Sequence, residues 1–187
     1  MSPPDIPQVL VYRIDAGGRI TYVNTQWSEF ARDNQGEAVM PSNILGTRLI
    51  DSVTDMAVRE LYLRMIKRAR SGKPVSFHYR CDAPSKRRLF VMHIRLLAGG
   101  EVEFASVLKH EEARPRVALL EPGGARAASL LRVCSWCQKV ATPDGQWRPV
   151  EEAVETMQLL HDKLLPGITH GICEPCKAGM MENIEAG

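Results

Sequence analysis

The feature that most constrains this chain is a pair of CxxC turns, Cys134-Ser-Trp-Cys137 and Cys173-Glu-Pro-Cys176. Two such turns bring four sulfurs together about 2.3 Å from a single ion, the requirement of a closed tetrahedral site. The readings that compete with a metal site are weaker. Covalent haem attachment needs a histidine directly after the second cysteine, where Gln138 and Lys177 stand instead. A thioredoxin-like redox pair wants a βαβ context that neither pair has in the sequence pattern. Cysteines that merely fill space in a core are not expected to occur as two spaced pairs. Zinc is the expected cofactor, as the usual occupant of four-thiolate sites, although a rubredoxin-like iron centre uses the same ligands. His170 lies at HxxCxxC spacing and is an alternative ligand or a hydrogen-bond donor to one of the thiolates. The 35 residues between Cys137 and Cys173 exceed the usual spacing of roughly 15 to 20, so an element between the pairs has to fold them back together.

Composition narrows the setting. With 44% hydrophobic and 25% charged residues the chain suits a globular fold, and its apolar runs fall far short of the roughly 20 residues that cross a bilayer. The start MSPPDIPQ has no basic region followed by an apolar one, so a cytoplasmic, reducing location and no membrane partner are expected. The formal charge of +2 gives no argument for nucleic acid. Residues 130–187 hold five basic and eight acidic side chains, a balance of −3 that four thiolates and a divalent metal take to −5. A DNA-gripping finger should be basic, so nucleic acid is not an expected partner.

Upstream of the cysteines the pattern is that of an α+β domain. After a Pro-rich tail over residues 1–7, the runs 8–15 and 20–23 flank Gly17-Gly18 as a hairpin. Asn24 and Thr25 then open a short helix with Trp27, Phe30 and Ala31 on one face. From Ser52 to Arg70, residues Val58, Leu61, Tyr62, Met65, Ile66 and Ala69 keep helical register, with Gly72 and Pro74 as the stop. Strands follow over 75–81, 88–97 and 102–108. Five antiparallel strands with the helices on one face are expected.

The segments "VYRIDAGGRITYVNTQWSEFARDN" and "GKPVSFHYRCDAPSKRRLFVMHIRLL" resemble the opening and closing parts of a PAS domain, which would span residues 8–112. The resemblance implies a small ligand in the cleft between sheet and helices, and signalling through dimerisation. A haem sensor of this family usually carries its axial histidine on the long helix, which has none here, and the NCRFLQ-like motif of the photoactive flavin members is absent. Residues 113–129, with Pro115, Pro122, Gly123 and Gly124, read as a linker. In residues 130–180, "VCSWCQKV", "DGQWRPVEEAV" and "THGICEPC" resemble a cysteine-rich module that follows PAS or receiver domains in bacterial signalling proteins. Pro149 opens a helix carrying Val150, Val154, Met157, Leu160 and Leu164, with Pro166-Gly167 as its stop. Residues 181–187 read as a tail, and the PAS part is expected to survive loss of the metal module.

Of the remaining candidates, His78, His93 and His161 read as surface positions, Cys81 as a core thiol, and Lys86-Arg87-Arg88 as a solvated turn. Trp136 and Trp147 are expected to pack around the metal. Leu89 and Val91 add apolar area to the outward face of their strand and point to a homodimer. No P-loop, GxSxG elbow, HExxH or kinase core is present in the sequence. A non-enzymatic signalling protein acting on a partner protein is therefore expected. The alternatives are a redox- or metal-responsive switch and a transcription regulator.

Overall fold

The computed structural model describes residues 8–159 and 164–185, so the N-terminal tail at 1–7, Leu160, His161 and residues 186–187 lie outside the described residues. The opening hairpin comprises β1 (Val9–Ile14) and β2 (Ile20–Val23). It leads to α1 (Thr25–Asp33), the single turn α2 (Pro41–Ile44) and the long α3 (Met56–Arg70). The next three strands are β3 (Val75–Arg80), β4 (Lys86–Leu96) and β5 (Val102–Ala113). Together the strands form one antiparallel sheet in the order β2-β1-β5-β4-β3, the α+β arrangement expected.

Asn24 sets the entry to α1. Its side-chain oxygen accepts from Trp27 N at 3.0 Å and Val11 N at 3.1 Å, while Nδ2 donates to Val9 O at 2.7 Å. One amide thus caps the helix and ties it to β1. Asp55 caps α3 by accepting from the Ala57 and Val58 amides, both at 3.0 Å. The apolar face of α3, through Val58, Leu61, Met65, Ile66 and Ala69, packs on the inner sheet residues Tyr12, Ile14, Met92, Ile94 and Phe104. Each large side chain removed from water here contributes about 1.5–3 kcal/mol.

On the outward face of β4, Val91 is 6% exposed and Leu89 is half-buried, so of the two only Leu89 offers area to a partner. His78 and His93 are exposed, as expected. The basic run differs from expectation, because Arg88 is buried: its guanidinium donates to Cys81 O and Asn34 Oδ1, both at 2.8 Å, and stacks on Phe30. It shares the strand phase of Phe90, Met92 and Ile94, which turns it inward.

Residues 113–129 are not an open linker. β5 stays paired through Ala113, Arg114 is buried, and the 3-10 turn Ala118–Leu120 drops Leu119 into a second core with Val133, Val140, Val150 and Ala153. The prolines and glycines punctuate this stretch, but Val117 and Leu119 between them are buried anchors.

The C-terminal part has a sheet in the order β8-β7-β6-β9. Its strands are β6 (Ala127–Cys134), β7 (Val140–Ala141), β8 (Trp147–Arg148) and β9 (Pro166–Gly171). The helix between the cysteine pairs, α4 (Val150–Thr156), is shorter than its apolar periodicity suggests, and the chain leaves it at Gln158 in the left-handed region, φ 54°. The second pair opens a helix of its own, α5 (Glu174–Glu185), which takes in residues 181–185 expected as tail. Among the described residues no helix is long and apolar enough to cross a membrane.

The two parts share one core. Cys134, Trp136, Ile172, Cys173 and Met180 belong to the same buried cluster as Met65 and Phe77. The exposed edge of the large sheet is also closed there: Arg80 N donates to Trp136 O at 2.7 Å, and Asn183 Nδ2 to Ser76 O at 3.0 Å. Edge strands with unpaired backbone groups invite stray pairing, and the cysteine module caps β3 against it.

Candidate metal centre

The four predicted cysteines meet. Their sulfurs all lie within 4.8 Å of one another, with Cys134 and Cys173 buried and Cys137 and Cys176 half-buried. Cys137 Sγ is 3.7 Å from Cys173 Sγ. Sulfurs about 2.3 Å from one tetrahedral ion stand about 3.8 Å apart, so the Cys137–Cys173 separation matches such a site and the whole cluster lies within about an ångström of it.

The long spacing between the pairs has a topological cause. β6 and β9 run parallel, with Cys134 in register with Gly171, so each strand delivers its knuckle to the same end of the sheet. Parallel neighbours need a crossover of a dozen or more residues, and the segment carrying β7, β8 and α4 supplies it. The first knuckle closes by Gln138 N donating to Cys134 O at 3.0 Å and Cys134 N donating to Lys139 O at 2.8 Å, with Gln138 at φ 60°. In the second, α5 begins directly after Cys173, and Lys177 N donates to Cys173 O at 2.9 Å. Ser135 N donates to Gly171 O at 2.8 Å and joins the two.

Gly171 has a packing role in the HGIC run. A Cβ there would strike the Arg132 guanidinium, which lies across it to reach Asp55 at 2.9 Å and the Trp147 ring at 5.9 Å. Trp136 is buried beside the cysteines and Trp147 packs half-buried against the same cluster, as expected of both.

Proton affinities within the cluster are uneven. The Cys134 thiol is pulled down to about 4 by the hydrogen bond it accepts from Cys137, with backbone N–H groups of Cys137, Cys173 and Trp136 adding to the effect. Cys137 is raised because it gives that hydrogen bond. Burial and the hydrogen bond with Cys173 push Cys176 up to about 12. A thiol cluster in this state holds protons that a metal must displace, so occupancy depends on pH.

His170 stands apart. It pairs in register with Val133, whose side chain lies in the second core, and strand alternation turns it away from the Cys134 sulfur. Its side chain is exposed, it is not in the four-cysteine group, and no hydrogen bond joins it to a cysteine sulfur among the described residues.

Next to the first cysteine knuckle, a cavity of about 520 Å³ opens between the inner sheet face and the helices. Tyr12, Trp27, Phe30, Phe77, Tyr79 and Phe90 supply most of its aromatic wall. Cys81 lines it too, as a half-buried free thiol whose pKa burial raises.

No family model matches the chain. It is 33% identical over 94 residues to the "Uncharacterized 104.1 kDa protein in hypE 3'region" of Rhodobacter capsulatus, a match over 46% of this chain and 10% of that protein. The chain thus spans about a tenth of the curated relative it matches. A domain of an HTR-like protein from Haloarcula marismortui ATCC 43049 aligns with a TM-score of 0.38 and 14% identity, over 55% of this chain and 99% of that one. The sensor region of a sensor histidine kinase aligns with a TM-score of 0.34 and 18% identity, over 54% and 38% of the two chains.

Proposed function

We propose that this chain is a PAS-like sensor domain joined to a zinc-stabilised cap, without a catalytic output of its own, which signals by changing the surface it presents to a partner protein. The observation that carries the reading is the cavity of about 520 Å³ between sheet and helices, large enough for a small molecule, with the four-cysteine cluster beside it. Cys134, Cys137, Cys173 and Cys176 would hold the metal, which supplies structural binding energy there. Elemental analysis and an absorption spectrum of the purified protein test this directly. One zinc per chain with no visible band is expected; strong visible absorption from iron, haem or flavin, or no metal at all, would refute it.

The proposal includes a homodimer. Val9 and Val107 are neighbours across β1 and β5 on the outward face, beside the buried Val91, and Leu89 extends the half-buried stripe. Light scattering at micromolar concentration should give twice 20.9 kDa, and Leu89→Glu with Val107→Glu should return the monomer. A wild-type monomer at that concentration would remove the dimer from the reading.

A further inference from the structure

The cavity is walled by both parts of the chain. Ser135 and Trp136, the two residues between the ligands Cys134 and Cys137, line it together with residues of the sheet domain. Trp136 is 5% exposed, and its ring packs at 5.9 Å from Phe77 and 6.3 Å from Tyr62, two further lining residues. Its Nε1 is buried with no acceptor among the described residues. A buried donor without a partner costs about 1–3 kcal/mol, so Trp136 is held in place by its packing and its backbone rather than by its indole N–H. Elsewhere on the wall, Tyr79 donates to Ser106 Oγ at 2.9 Å, so that hydroxyl pair is already satisfied internally.

The lining also defines the chemistry of an occupant. Among the described residues no Asp, Glu, Lys, Arg or His contributes to it. A charged molecule would be desolvated there with no charged side chain in the lining, the nearby Arg88 guanidinium being engaged by Asn34, Cys81 O and the Phe30 ring, at a cost of several kcal/mol. A neutral, mostly apolar and ring-containing molecule fits instead.

We infer that such a molecule binds with one face on Trp136, and that its binding is thermodynamically linked to metal occupancy of the four-cysteine centre. The position of Trp136 is set from two sides. Its neighbours Cys134 and Cys137 anchor it to the metal cluster, and its carbonyl oxygen is held by Arg80 N of β3 at 2.7 Å. With the metal absent the knuckle loses its closure and the wall its fixed tryptophan. An occupant that needs that wall therefore favours the loaded centre, and linkage requires the metal to favour the occupant by the same factor.

The inference rests on reading the cluster as a metal site, so zinc stoichiometry is measured first and separately. The test uses the full zinc-loaded chain and N-phenyl-1-naphthylamine, a neutral aromatic probe that fluoresces in apolar surroundings. Saturable binding of one probe per chain is expected, and saturating probe should strengthen zinc retention against EDTA by about tenfold. Trp136→Leu, which leaves all four thiolates, should bind the probe several-fold more weakly and reduce the coupling to less than twofold. Trp136→Phe serves the same comparison if the leucine variant does not fold. Wild-type protein that binds the probe with unchanged zinc retention would overturn the linkage and leave the metal reading standing. Absence of saturable binding would overturn the ligand site, whereas absence of zinc would strike the earlier reading instead.

Discussion

Asp82 offers the sharpest test of whether the sheet domain and the cysteine module are one cooperative unit. Its side chain is fully buried after β3, where it accepts from Arg88 N at 3.1 Å, pairs with Arg80, and lies 3.3 Å from Arg114 Nη1. Arg114 is itself 2% exposed at the side chain and reaches Glu151 of α4 at 3.3 Å. The chain Asp82–Arg114–Glu151 therefore joins the hairpin of the large sheet to the helix of the second core. Removing one partner of a buried ion pair leaves the other desolvated and unpaired, at a cost of about 3–5 kcal/mol. In Asp82→Ala, Glu151 would remain near Arg114 and hold the loss toward the lower end of that range. For a chain of this size such a loss lowers the midpoint of thermal unfolding by roughly 6–20 °C. The assay follows unfolding by tryptophan fluorescence and by metal release in parallel, and both midpoints should fall together. The exposed pair Arg116–Glu121 is the control, since Arg116→Ala should leave both unchanged. A loss below about 1 kcal/mol, or a shift confined to metal release, would refute the argument from buried charge and shared core.

The shared core changes the expected result of removing a ligand. Cys173→Ser should abolish metal binding and also destabilise the sheet domain, because Ile172 and Cys173 pack with Met65 and Phe77; an unaltered fluorescence transition from Trp27 would show separate units. Asn24→Ala should cost about 1–2 kcal/mol by urea titration, since one side chain caps α1 and bonds to β1; a loss within error would mean water replaces both contacts. Gly171→Ala should displace Arg132, break its pair with Asp55 and weaken zinc retention several-fold, and full retention against EDTA would show that Arg132 moves aside freely.

Periodicity carried the sheet domain. Alternation over Val75–Tyr79 and helical register from Val58 to Ala69 fix which faces are buried, and burial follows them closely. The same signal held a correct answer for Arg88 that its charge concealed, because Arg88 is in phase with Phe90. The meeting of the four cysteines was legible from spacing alone. Two other features were not: the parallel pairing of β6 with β9 is a long-range register that no local pattern encodes, and α5 has only a weak apolar stripe. His170 stood as an alternative ligand or a hydrogen-bond donor to a thiolate because HxxC spacing says nothing about which face of a strand the histidine takes.

The placement of Trp136 follows from the same topology. A segment of about 60 residues with strands as short as Val140–Ala141 and Trp147–Arg148 has little apolar surface to bury by itself. Its second core gathers Val133, Val140, Val150 and Leu119, which leaves the cysteine end of β6 to find cover elsewhere. That cover is the free edge of β3 and the adjoining face of α3, so the knuckle tip enters the large core and Trp136 lands on the cavity wall. Binding energy on the order of 10 kcal/mol at a closed zinc site would then be spread over both parts, because the module closes with its tryptophan seated in the large core. A metal bound there would stabilise the wall on which a ligand would rest, with no moving part required beyond the knuckle itself.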